Sequence, residues 1–302
     1  MMQMIGGEQS AGNGRRTPAL NIQAPPQLQP AARRISRVDA GAVLAIMRMI
    51  GIDDGGGQIE VVLAAEDSDA ARSTPRWIAG YAHTESSTIV LFPARSLSYP
   101  HDSLEDVFLH EVGHILIGRA AGGAPVPRWF HEGLALTAER TPGLRDRTQL
   151  MLAVAFERRN IASLDESFAG GSAAATRAYA LSGAMIRHVI RRHGHDAPAR
   201  VLARLAGGER FDNAFHRATG ESLAAAEAAF WRDSWWQQII PFLTSTAVLW
   251  FGVILLALFA RRTRAVRREA LRRRWEEDER REQAAVTPDP PATSQSDPDA
   301  AI

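Results

Sequence analysis

The 302-residue sequence contains no cysteine. Disulfides, thiolate nucleophiles and cysteine-held zinc are therefore excluded, and any metal must be bound by histidine and carboxylate. A dominant charge is lacking too: the formal net charge is +1, so nothing biases the whole chain toward nucleic acid. No glycine-rich loop with a following Lys-Ser/Thr is present, which argues against an ATP-driven machine. Residues 1–35, which include "IQAPPQLQP", have no apolar period and are expected to be disordered. They also lack the continuous apolar stretch of a signal peptide.

What is present begins with "VDAGAVLAIMRMIGI", whose apolar spacing predicts a helix ending at Gly51. "QIEVVLAAE", "WIAGYAH" and "STIVLFP" read as strands, the last two joined by a polar "TES" hairpin loop. Together they predict a small antiparallel or mixed sheet within 58–93. Helical periods then run from Ser103 to Ser234. Ser103 is the expected N-cap, with Asp106 three residues on as in a capping box. The 22 uncharged residues Ile239 to Ala260 suffice to cross a bilayer of about 30 Å. Trp235 and Trp236 precede this run, and eight arginines crowd residues 261–274 after it. The pattern predicts a single-pass anchor at the cytoplasmic membrane, its arginine-rich tail inside and the preceding domain outside. Export of that domain requires a leader, so the true start is expected upstream of the one given. Residues 261–302 are expected to form a basic juxtamembrane helix, drawn to anionic lipid, and a disordered tail.

The chemistry concentrates in "FLHEVGH", Phe108 to His114. His110 and His114 lie four residues apart, so on a helix they share one face and can grip one ion. Glu111 is about 100° around from His110 and can reach a water on that ion without ligating it. With cysteine absent, zinc suits the donor set. A catalytic zinc needs a third protein ligand and an open position. The metzincin extension would place Gly at 117 and His at 120, but Ile117 and Ala120 stand there. Downstream, "PRWFHEGLALTAE" offers Glu132 and, beside it, the competing His131. Glu132 is favoured, because two histidines and a glutamate on the following helix make the thermolysin-type set.

The succession "GYAHTESSTIVLFPARS", "SLEDVFLHEVGHILIGRA", "VPRWFHEGLALTAE" and "AYALSGAMIRHVIRRHG" resembles the peptidase-MA-like group of gluzincin metallopeptidases over residues 40–232. The resemblance implies an α+β, zincin-like domain over 36–234, with a small N-terminal sheet, an active-site helix and a helical C-terminal half. It implies one Zn2+ on His110, His114 and Glu132, with Glu111 as catalytic base and a peptide or protein as substrate. Trp129 and Gly133 would shape the second helix. Tyr179 is the candidate oxyanion donor, partly because gluzincins commonly place a tyrosine there. A core tyrosine with its hydroxyl at the surface is an equal reading of that residue. Ser87 to Pro93 is expected to be an edge strand able to pair with substrate backbone.

Other features have plainer readings. Gly113 and Gly118 weaken a helix and imply close backbone packing there. "HGHD" at His193–Asp196 reads as a solvated turn at a helix end rather than a chelate. His83, His101, His188 and His216 have no partner visible in the sequence. A pseudoenzyme used as a scaffold is the competing function, but it would be expected to lack a residue of the set. An intramembrane protease is disfavoured because polar segments flank the motif.

Overall fold

The computed structural model describes residues 14–96, 100–139, 143–156, 160–243 and 246–286. The chain divides into two units, Met1–Gln238 and Ile239–Ile302. In the first, β1 (Leu20–Gln23) leads through a 3-10 turn at Pro26–Leu28 into α1 (Gln29–Ile35) and α2 (Ala40–Ile50). Asp39 caps α2, its side chain accepting from the Gly41 amide, and Gly51 at φ 78° ends the helix. That left-handed residue closes the last turn at no Cβ cost, as the sequence predicts. β2 (Ile59–Leu63), α3 (Asp69–Ser73), β3 (Gly80–His83) and β4 (Thr88–Leu91) follow.

Residues 14–35 are ordered, which corrects the expectation of disorder over 1–35; residues 1–13 lie outside those described. The elements there are too short to show an apolar period, yet Ile22, Ala32 and Ile35 are buried in the core. The Arg34 fork also grips the Glu105 carboxylate at 2.6 and 2.8 Å, tying α1 to the helix that carries the motif.

The sheet order is β1-β2-β4-β3, with only β3 antiparallel to its neighbour. A second expectation therefore fails. β4, within Ser87 to Pro93, lies between β2 and β3 and has no open edge. Its Ile89, Val90 and Leu91 are all buried, which suits a strand covered on both faces. The edge is β3.

An arginine fixes the approach to that edge. Arg95 is 8% exposed, and its guanidinium lies over Phe92 and pairs with Glu66 at 2.8 and 3.0 Å. It also donates to the carbonyls of Ala71, Thr74, Pro75 and Ile78, the segment leading into β3. Arg95→Met roughly keeps the volume but strips these carbonyls, the buried one of Ala71 among them, of their donor. It should lower stability by about 2–4 kcal/mol in a urea titration with unchanged slope. A loss under about 0.5 kcal/mol would mean that water replaces the guanidinium.

The helices are α4 (Leu104–Ala120), α5 (Arg128–Glu139), α6 (Leu144–Phe156), α7 (Leu164–Ser167), α8 (Ser172–His193), α9 (Ala197–Ala206), α10 (Phe211–Thr219) and α11 (Leu223–Leu243). Ser103 caps α4 as expected, accepting from the Asp106 amide at 3.1 Å, while Asp106 reaches back to the Asp102 amide. α4 is apolar on nearly every side because it is enclosed by the sheet, α2 and α5. Gly113 faces Ala135 of α5, and Gly118 faces Thr84 of the hairpin turn.

In the second unit α12 (Thr246–Val286) takes in the arginine-rich stretch. Trp250, Phe251, Val253, Ile254, Leu255, Leu256, Leu258 and Phe259 are all more than half exposed. The expected single span over Ile239–Ala260 includes residues 244 and 245, which lie outside those described, between α11 and α12. Among the described residues no helix is long and apolar enough to cross a membrane. Residues 244–245, the side chains of 234–249 and the expected disordered tail beyond 286 lie outside the description.

Candidate metal centre

α4 places His110 and His114 one turn apart on the face turned toward α5, and α5 returns Glu132 against them. Their Nε2 atoms are 3.1 Å apart, and each is 3.3 Å from Glu132 Oε2. Ligand bonds of about 2.0–2.1 Å at tetrahedral angles separate donor atoms by roughly 3.3 Å. The three donors thus already have the spacing of one face of a zinc tetrahedron. Glu132 Oε2 is buried and has no hydrogen-bond partner, which is costly for a carboxylate oxygen unless a cation meets it. The donor set, two imidazoles and a carboxylate without thiolate, fits a zinc-type ion.

His131 is not in this triangle. Its ring meets that of His114 at 4.7 Å, and its Nε2 faces the His114 carbonyl oxygen at 3.3 Å. Glu111 is 4% exposed, next to His110, and lines the same cavity of about 440 Å3. Tyr179 of α8 lines it as well, its ring 6.3 Å from that of His110. The edge strand β3 lines the cavity through Gly80, Tyr81 and Ala82, and the segment before it through Trp77, Ile78 and Ala79.

Burial sets the electrostatics. It pushes the Glu111 carboxyl up, with His114 and His110 opposing. Burial also acts to raise Glu132, but His114 and His110 more than offset it and hold this carboxyl well below the usual range. Tyr179 is raised by burial, then by Glu132 and Glu111, so it remains a phenol and a hydrogen-bond donor. Burial, then the adjacent His114, pushes His131 down to about 3.

A histidine that stays neutral while its unfolded counterpart titrates near 6.5 binds fewer protons when folded. Its contribution is intact above that value and is lost as pH falls from about 7 toward 3. In the metal-free protein His131 should remove about 2 kcal/mol of stability between pH 7 and pH 5. Glu111 acts in the opposite sense, so the measurement is the difference between wild type and His131→Gln in denaturation at both pH values. Parallel curves for the two proteins would rule His131 out as the source.

Residues that the sequence did not single out complete the centre. His101, expected to have no visible partner, is buried with its ring 4.7 Å from that of His110. Asp165 of α7 accepts from the amides of Arg128 and Trp129 at 3.2 and 2.9 Å, capping α5 from outside its own segment. Arg128 stacks over Phe168 at 4.7 Å and points Nε at Glu132 Oε1, 3.5 Å away. Its spacing of four residues before Glu132 on a helix was the available signal. His101 and Asp165 come from separate segments and had none. "HGHD" behaves as expected: α8 ends at Gly194 with φ 93°, and His193 pairs with Glu221 at 2.7 Å.

The model of the peptidase MA superfamily matches residues 63–237, more than half of the chain. The chain belongs to the peptidase MA superfamily. The matched span contains β3, α4, α5 and α8, and with them the whole His110–His114–Glu132 group. No curated protein matches the chain. The family therefore gives the class of chemistry, and any account of substrate has to come from the cavity.

Proposed function

We propose that the chain is a zinc-dependent metallopeptidase that hydrolyses peptide bonds. The observation carrying this is the triangle of donor atoms, 3.1–3.3 Å on each side, with Glu111 in the same cavity. Zinc, when bound, supplies an acidified water and a positive charge against the developing oxyanion. Glu111, its carboxyl raised by burial, accepts the proton of the attacking water and then passes it to the leaving amine. Tyr179, a phenol held protonated, donates to the carbonyl oxygen as charge builds there. β3 receives the substrate as an added antiparallel strand, since its outer side has no partner among the described strands.

The same reading includes attachment to a bilayer through the exposed apolar run of α12, with the arginine-rich stretch on the cytoplasmic side. Flotation of the full chain with anionic liposomes checks this. A chain that stays at the bottom of the gradient sinks the attachment and leaves the peptidase reading untouched.

The decisive test of the site is elemental analysis of the full chain. Wild type and His131→Ala should carry about one zinc per chain, whereas Glu132→Ala should carry less than a tenth of that. If His131→Ala loses the metal and Glu132→Ala keeps it, the ligand assignment is wrong. A wild type that binds no zinc under any loading leaves a gluzincin-fold scaffold as the better account.

A further inference from the structure

We infer that Arg128 forms a carboxylate-binding subsite in the cavity, so that the favoured peptides carry an acidic side chain or a free C-terminus beside the scissile bond. This rests on the peptidase reading and refines its substrate class. Among the cavity-lining residues Arg128 is the one arginine or lysine, set among the carboxylates of Glu111 and Glu132. Its side chain is 49% exposed, so it is open to a ligand rather than spent within the core.

The Arg128 guanidinium carbon lies 4.7 Å from the centre of the Phe168 ring, a contact that uses none of its N–H donors on an acceptor. Glu132 takes little of that capacity, because 3.5 Å is at the outer limit of a hydrogen bond and its other oxygen faces the two imidazoles. The positive charge of the guanidinium also acts on the Tyr179 hydroxyl, opposing the rise that burial causes there. Asp165 is engaged by the backbone amides of Arg128 and Trp129. A guanidinium fork held beside an aromatic ring matches a planar carboxylate, which accepts two parallel bonds. A basic peptide side chain would meet repulsion at the same place. Ser172 and Thr176 line the same cavity and add hydroxyls to its wall.

The test uses the zinc-loaded full chain carrying Glu111→Gln and two degenerate peptide pools, one capped at both ends and one with a free C-terminus. Captured peptides are eluted and sequenced by mass spectrometry. Enrichment of Asp or Glu from the capped pool by about tenfold identifies side-chain recognition. Dependence of capture on the free C-terminus, by a similar factor, identifies terminal recognition. In either case adding Arg128→Gln should abolish the preference while Arg128→Lys retains part of it. No enrichment, no capture, or a preference that survives Arg128→Gln overturns the subsite. So does loss of bound zinc in Arg128→Gln, which would mean that the guanidinium serves to hold Glu132. The Glu111 wild-type chain is run on the same pools. If it cleaves nothing while Arg128-dependent capture persists, the peptidase reading fails and the subsite stands.

Discussion

Replacing Glu111 with Gln is expected to cut peptide hydrolysis about a thousandfold while leaving bound zinc at the wild-type level. The two side chains have the same shape, so the 4%-exposed position is filled as before and α4 is not disturbed. What changes is chemistry. An amide cannot take a proton from the attacking water or hand one to the leaving amine, and both steps fall to Glu111 in the proposed mechanism. The metal group comprises His110, His114 and Glu132 without Glu111, so the ion should stay. Turnover of a peptide pool and zinc content, measured on one preparation, check both halves. A drop under about tenfold would remove Glu111 from the proton path. Loss of zinc together with activity would make it a ligand instead.

How much of this was legible in the sequence depends on whether the signal was local. His110 and His114 are paired by helical geometry alone, and Ser103 and Gly51 mark helix ends by rules spanning a few residues. Glu132 over His131 was a matter of which side of α5 faces α4, and the second helix settles that only by packing. β1 and α1 were hidden because a strand of four residues and a helix of seven are too short for a period. Their order comes instead from the sheet and from the Arg34–Glu105 pair, 71 residues apart in sequence.

The edge strand was misassigned for a related reason. A hairpin can dock on a third strand through either of its two strands, and periodicity does not say which. Composition does. In "TIVL" three apolar residues follow one another and all are buried, as befits a strand enclosed by neighbours, whereas "GYAH" has only partly buried or exposed residues, as befits an edge. Gly80 carries a second clue, since a Cβ there would come within 2.9 Å of Val107 Cγ1 on α4. The edge strand must lie close to the motif helix for both to bound one cavity, and glycine permits that approach.

Gly133→Ala should destabilise the protein by about 3 kcal/mol and weaken zinc binding by at least about tenfold, although it adds only one methyl group. Gly133 sits where α5 crosses α8. A Cβ at that position would lie 2.5 Å from the Ser182 carbonyl oxygen, 2.6 Å from Ile186 Cγ1 and 2.8 Å from the Ser182 carbonyl carbon. Two of these atoms are backbone of a 22-residue helix, so they cannot turn aside as a side-chain tip would. α5 must move away from α8, and Glu132, the preceding residue, moves with it. A shift of a few tenths of an ångström is enough to spoil a triangle whose sides are 3.1–3.3 Å. Gly113→Ala is the control, on α4 where that helix packs on α5. Its Cβ would meet Ala135 at an ordinary 3.5 Å, so the gain in helix propensity of about 1 kcal/mol should make it neutral or stabilising. Urea titration and chelator competition on both variants make the comparison. If Gly133→Ala keeps wild-type stability and zinc affinity, the crossing of α5 and α8 is not what holds Glu132 in place.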